Sequence, residues 1–233
     1  MKFSNKLIQA TIQKRYKRFL ADVTISDSGE QLTAHVPNTG AMTNCWAPDW
    51  PALLSKSDNP KRKLPYTLEM THNGKSYIGV NTSLTNKIAK EAIETGIITE
   101  LNDYGEIKAE QKYGDSRLDF KLSGHKKFAD TFVEVKNVTL NDYSTAIFPD
   151  AVTTRGQKHL QELIKIKNEG YRAVMLYIIA REDINKFSPA KNIDPEYSRL
   201  LQKAFANGVE ILAYQCKLNQ NEIKVYKRIE ICL

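Results

Sequence analysis

The chain has little cysteine. Cys45, Cys216 and Cys232 are far apart and lack CxxC spacing. That excludes a disulfide scaffold and a zinc ribbon, and fits a reducing, cytoplasmic setting. Histidine is scarce too. His35, His72, His125 and His159 are scattered, with no HxxxH or HExxH spacing, so a histidine zinc site is not expected. His159, beside Lys158 at a helix start, reads as a surface histidine or a phosphate contact. No apolar run approaches the roughly 18 residues that span a bilayer. The N-terminal MKFSNKLIQATIQKRYKRF lacks the apolar core of a signal peptide. Internal repeats, low-complexity tracts and signatures of Ser or Cys nucleophiles are missing as well. Acid is in the minority: 27 Asp and Glu against 34 Lys and Arg, a formal charge of +7. A basic excess favours polyanions such as nucleic acid. At 233 residues and 41% hydrophobic, the chain has enough for two cores.

The first part is strand-rich. Leu7 to Ile12, Phe19 to Ile25, Gln31 to Val36, Ala52 to Lys56, Leu64 to Thr71 and Ser76 to Val80 carry β-type patterns. Asn73-Gly74 is a hairpin signal. Short strands in about 80 residues with little helix predict a small closed barrel, and an OB-fold is the type that fits. Two basic clusters lie between strands: Lys14, Arg15, Lys17 and Arg18, then Lys61, Arg62 and Lys63, with Tyr16, Phe19 and Tyr66 nearby. Cations mixed with rings are what a nucleic-acid binder uses, and equally what solvated loops over a core look like. Trp46 and Trp50 read as pins of a loop onto the core, or as base-stacking rings; Asn38 and Thr39 as a turn, or as a phosphate cradle.

Composition changes at Asn81-Thr82-Ser83, which puts a domain boundary near residue 82: 1–82 and 83–233. A helix capped by Ser83 is predicted to about Thr95, and a strand over Ile107 to Tyr113 ended by Gly114-Asp115. Asn141 to Pro149 reads as a loop. Thr154 to Asn168 is a helix with Leu160, Leu163, Ile164 and Lys167 on one stripe. Its first turn carries Arg155, Gln157, Lys158 and His159, suited to an anion. Ala173 to Ala180 and Val209 to Gln215 are buried strands, Pro195 to Ala206 a helix, and Ile223 to Ile231 an edge strand. That order describes an α/β domain with a mixed sheet.

The stretch Ser116 to Leu140 carries the chemistry. Arg117, Asp119 and Lys121 alternate with Leu118, Phe120 and Leu122; Phe132, Glu134 and Lys136 alternate with Val133, Val135 and Asn137. Paired in suitable register, these strands bring two carboxylates and an ammonium to one spot. Such a trio suits a hard divalent cation, Mg²⁺ or Mn²⁺. The bland alternative is the solvated face of a hairpin. Glu-x-Lys occurs four times, at 106, 110, 134 and 222, but only Glu134-Val135-Lys136 lies in a Val-rich strand after a strand-borne Asp. Further acid ligands are sought in Glu110 on the preceding strand, or in Glu91, Glu94 or Glu100.

Asp119, Glu134 and Lys136 resemble the motif of the PD-(D/E)xK nuclease superfamily. The resemblance implies a restriction-endonuclease-like core with Asp119 and Glu134 as metal ligands and all three as catalytic. Leu118 replaces the usual proline, Pro149-Asp150 is a decoy, and Gln157…Gln161 is similar to a further helix motif without its terminal Tyr. More of the chain is similar to the sugar fermentation stimulation protein family, SfsA. The matching segments are HVPNTGAM (35–42), KRKLPYTLE (61–69), YGDSRLDF (113–120), FVEVKNVTL (132–140), FPDAVTTRGQKHLQEL (148–163) and GVEILAY (208–214). This implies an OB-like domain, a nuclease-like domain, non-specific DNA binding and a regulatory part in sugar (maltose) metabolism. A Mg²⁺-dependent deoxyribonuclease is the alternative. The DNA contacts expected are Arg15, Lys17, Arg18, Asn38, Thr39, Lys61, Arg62, Lys63, Arg155, Gln157 and Lys158.

Overall fold

The computed structural model describes residues 1–114 and 116–233, so Asp115, in the turn read after Tyr113, lies outside the described residues. The first domain is built from β1 (Ile8–Tyr16), β2 (Leu20–Ile25), β3 (Gln31–His35), β4 (Pro51–Lys56), β5 (Tyr66–His72) and β6 (Tyr77–Gly79). Strand β1 pairs with both β2 and β4, β5 extends from β4, and β3 closes onto β5 through His35 and Thr67. Five strands thus form a closed barrel, the OB type, with β6 added at β5. Ile12, Val23, Leu54 and Leu68 fill it. The first basic cluster is only partly a loop. Lys14 to Tyr16 belong to β1, and Lys17 and Arg18 make the turn with φ of 47° and 62°.

Strands β4 and β5 do not alternate, because the barrel wall is buried on both sides. Leu54 and Leu68 face the barrel interior, while Leu53 and Met70 pack into the core of the second domain. Burying such a side chain contributes about 1.5–3 kcal/mol. The pair therefore contributes a sum comparable to a sizeable part of a domain's net stability of about 5–15 kcal/mol. Gly79 permits the close approach beside them: a Cβ there would lie 3.1 Å from Leu218 and 3.3 Å from Ala180.

In the second domain α1 (Thr85–Glu94) leads to β7 (Glu106–Tyr113), β8 (Ser116–Ser123) and β9 (Thr131–Val138). Asn81, not Ser83, caps the turn that opens α1: its side chain accepts from the Ser83 amide. Then come β10 (Asn141–Asp142), β11 (Thr145–Phe148), α2 (Thr154–Asn168), β12 (Arg172–Ile179), β13 (Lys186–Pro189), α3 (Pro195–Ala206), β14 (Glu210–Leu218), β15 (Ile223–Arg228) and β16 (Glu230–Ile231). The main sheet runs β15-β14-β12-β9-β8-β7, parallel from β14 to β9 and antiparallel at both sides. It is the expected mixed sheet.

The 141–149 segment is not a plain loop. β10 and β11 join β13 and β16 in a small second sheet. The predicted last strand is likewise divided, into β15 on the main sheet and β16 on the small one. Helix α2 starts where Thr153 accepts from the Gly156 amide and buries Leu160, Leu163 and Ile166. Asp194 caps α3 by accepting from the Tyr197 amide at 2.9 Å.

Candidate metal and nucleic-acid site

Strands β8 and β9 pair only over Leu122–Thr131, Lys121–Phe132 and Phe120–Val133. Past that point they part, and Asp119 and Glu134 are the first residues of the fork. The Val135 amide, beyond the last residue of β9 paired with β8, donates to Asp119 Oδ2 at 2.7 Å; Asn86 of α1 donates to Oδ1 at 2.7 Å. Burial pushes the Asp119 carboxyl above its ordinary pKa, and the Glu134 charge adds to this. These effects outweigh the two hydrogen bonds and the Lys136 charge.

Glu134 is 2% exposed, unusual for a carboxylate unless it is paired. Its Oε1 accepts from Lys136 Nζ at 2.5 Å and touches His159 Nδ1 of α2; Lys136 Nζ lies 3.2 Å from the same ring nitrogen. Burial pushes this carboxyl up. The His159 hydrogen bond and the Lys136 and His159 charges more than reverse that, leaving it below its usual value. Glu134 Oε2 is buried and has no hydrogen-bond partner. An unsatisfied buried carboxylate oxygen is costly and calls for an explanation.

The sequence reading missed His159. It is not at the surface but 4% exposed, locking the Glu134–Lys136 pair. The signal was present: 159, 163 and 166 follow the i, i+4, i+7 spacing of the buried stripe.

Next to the cluster, a cleft of about 400 Å³ lies between the domains. Asn38, Thr39, Asn86, Lys136, Asp150 and Arg155 line it. Asp150, from the decoy Pro-Asp pair, accepts from the Ala41 amide at 2.9 Å and so ties the two domains at this cleft. Gly40 leaves room for this contact: a Cβ there would sit 2.3 Å from Asp150 Oδ2 and push the carboxylate off the Ala41 amide.

The expected DNA contacts divide. Thr39 and Arg155 are exposed at the cleft. Lys17, Arg18, Lys61, Arg62 and Lys63 are exposed at one end of the barrel. The register links them: the 17–19 turn adjoins Leu20, which pairs with His35, which pairs with Thr67, to which Arg62 donates at 3.0 Å. Lys158 is exposed on the first turns of α2.

Others hold the protein together. Arg15 donates to the carbonyls of Asn38, Gly40 and Ala41. Asn38 is 5% exposed and builds its own turn, donating to Val80 O and accepting from the Gly40 amide. Gln157 donates to both oxygens of Asp194, at 3.0 and 3.1 Å.

The further acids do not come to the cluster. Glu110 is exposed and pairs with Arg117 at 3.0 Å. Glu91 takes the Met1 ammonium, Glu94 pairs with Lys90, and Glu100 pairs with Arg228. Among the described residues no group of three or more His, Cys, Asp or Glu is placed to hold a metal ion. Cys45 is buried and its thiol pushed up to about 11, as expected of an unreactive cysteine. No helix of the described residues is long and apolar enough to cross a membrane.

Known proteins resemble the chain along its length. Residues 14–80 match a family model described as the SfsA N-terminal OB domain, and residues 83–222 match the sugar fermentation stimulation protein RE domain. A sugar fermentation stimulation protein homolog of Geotalea uraniireducens (strain Rf4) is 47% identical over 226 residues, covering 97% of this chain and 96% of the relative. One of Shewanella baltica (strain OS155 / ATCC BAA-1091) is 48% identical, covering 96% of each. A solved structure, Pyrococcus furiosus SfsA in complex with Ca²⁺, superposes with a TM-score of 0.89 at 29% identity, covering 100% of this chain and 98% of the other. With both domains matched and close to half of the residues identical in these bacterial relatives, the chain belongs to the sugar fermentation stimulation protein family.

Proposed function

We propose that this protein binds DNA without sequence preference and hydrolyses its phosphodiester backbone with a divalent cation, Mg²⁺ or Mn²⁺. The observation that carries the reading is Glu134 Oε2, a buried carboxylate oxygen without a partner, beside Asp119 at the strand fork. Two carboxylates are a sufficient protein share for Mg²⁺, which keeps several waters and takes substrate phosphate as the remaining ligands. The Ca²⁺ complex of the Pyrococcus furiosus relative supports a divalent cation in this fold. Asp119 and Glu134 would hold the metal. When bound, it supplies charge at a phosphoryl oxygen and lowers the pKa of a coordinated water.

The chain's own groups do the rest. Lys136, fixed by Glu134 and His159 at the cleft, offers an ammonium to the charge that grows on the phosphate. Arg155 and the start of α2, which has no acid in its first turn, hold the phosphate. Lys17, Arg18 and Lys61 to Lys63 track the backbone. Unpaired cysteines support a reducing, cytoplasmic setting.

One observation favours a second reading, a DNA-binding regulator of sugar (maltose) metabolism with an idle centre. Both oxygens of Asp119 and one of Glu134 already accept from protein donors. Incubation with plasmid and short duplexes, with Mg²⁺, Mn²⁺ or chelator, separates the two. Metal-dependent nicking lost in Asp119→Ala, Glu134→Ala and Lys136→Ala, with DNA still bound, supports the nuclease. Binding without cleavage in any divalent metal leaves the regulator.

A further inference from the structure

A second cleft, of about 650 Å³, opens at the domain junction beyond the first. Trp46 and Trp50 come from the barrel domain and Tyr143 from the second domain. Both tryptophans are half-buried against the barrel core, with part of their surface turned to the cleft. Tyr143 is 92% exposed at the turn between β10 and β11, in the left-handed region at φ 48°. A bulky side chain at positive φ is strained, and a large ring left in water gains nothing from burial. Its backbone is nevertheless braced, since Asn141 Nδ2 donates to Tyr143 O at 2.7 Å.

The cleft is preformed. Arg181, 1% exposed, donates to Thr139 O and Asn141 Oδ1 at 2.7 Å and clamps Asp183 through two 2.7 Å bonds. Asn73 from the barrel domain donates to the same Asp183 at 2.8 Å, and Asn44 reaches Asn141 O at 3.3 Å. With Arg181 so engaged, Lys75 is the lining cation without a side-chain partner among the described residues. Three rings with one available cation are ill suited to duplex DNA, which presents phosphates and hides its bases. They suit the exposed face of an unpaired base. The place is also right. Thr139 and Leu140 line the first cleft and Asn141 the second, so the chain leaving Lys136 passes from one to the other.

We infer that the Trp46–Trp50–Tyr143 cleft is a stacking site for unpaired nucleobases of a single strand continuous with the DNA held beside Lys136. This rests on the DNA reading above and gives it a substrate class: DNA with a single-stranded portion. Tyr143 closes over a base whose other face meets the tryptophans, and the Asn44 amide and Ser144 hydroxyl meet its edge.

Trp46 and Trp50 are the only tryptophans of the chain, so their emission reports this cleft. The intact protein in chelator is titrated with an oligothymidylate of about eight nucleotides, within the ~4–16 range of single-strand sites. Expected is saturable quenching by the oligonucleotide, little by a blunt duplex, and a shallow salt slope near −0.7 for one phosphate contact. Tyr143→Ala, at a solvent-exposed ring, should weaken the affinity about 5- to 100-fold. Equal quenching by duplex, a Tyr143→Ala titration that superimposes on wild type, or quenching by a neutral oligosaccharide in place of the oligonucleotide would overturn the inference. The titration needs no metal, so a protein that never cuts DNA still gives the expected result. Cleavage of duplex with no quenching by the oligonucleotide would overturn the stacking site alone.

Discussion

Changing Glu134 to glutamine separates charge from shape at the centre of the cluster. The amide keeps an oxygen for Lys136 and loses the negative charge. A hydrogen bond to a charged group contributes about 1.5–3 kcal/mol, against about 0.5–1.5 for a neutral pair. At a side chain 2% exposed, with Lys136 and His159 both against Oε1, the loss comes to about 1–2 kcal/mol. Each kcal/mol moves Tm by about 2–4 °C in a chain of this size, so the variant in chelator should melt about 2–8 °C below wild type. The second arm is a Ca²⁺ titration. A ligand at about 100 times its Kd stabilises the folded state by about 2.7 kcal/mol, which raises the wild-type Tm by about 5–11 °C. Glu134→Gln removes one of the two carboxylates, and that shift should nearly vanish. The assay is a thermal melt followed by circular dichroism, without DNA. A variant that melts with wild type in chelator and rises equally with Ca²⁺ would refute the reasoning.

Changing Lys61, Arg62 and Lys63 together to Ala should weaken binding to every DNA sequence alike and reduce the slope of log K against log salt by about 2–3; fluorescence anisotropy at several salt concentrations reads it. Gly40→Ala places a methyl 2.3 Å from Asp150 Oδ2, so either the carboxylate swings off the Ala41 amide or loop 38–41 shifts, at a cost of about 1–3 kcal/mol, seen in denaturant midpoints. Burial pushes the Asp183 carboxyl up, but the Arg181 and Asn73 bonds reverse that to about 2. A depressed carboxyl contributes stability above its unfolded pKa of ~3.9 and loses it as pH falls through the folded value. The Tm gap between wild type and Asp183→Asn should therefore close from about pH 4 towards pH 2. Thiol alkylation of the folded protein should label the exposed Cys232 and spare Cys45 and Cys216, counted by mass spectrometry.

Much of the architecture was legible because its signals were local. The stripe and stop of α2, and the proline start and Asn207-Gly208 end of α3, set those helices to within a residue. β10 and β11 were invisible for a physical reason. Two and four residues are too short to show a period, and β11 exists by pairing with β13, some 40 residues onward. The Asp119 and Glu-x-Lys strands stood out by alternation. What fills the space around them did not: Asn86, His159 and the Asp150–Ala41 tie depend on long-range packing. Arg15 and Gln157 carried the right chemistry for DNA, but their donors meet carbonyls and a carboxylate of the fold. Sequence shows a donor; only the fold shows whether it is already engaged.

The doubly buried barrel wall bears on how this protein can be dissected. A gene fragment ending near residue 80 would code for a closed barrel with Leu53 and Met70 newly bare on its outside. Its partner fragment would lose Met1, Leu7, Leu53 and Met70 from its own core. Each half expressed alone would therefore carry a sticky face that has nothing to do with DNA. Deletion mapping would then report clumping as loss of function. Point changes at exposed positions, made in the intact chain, avoid that confusion.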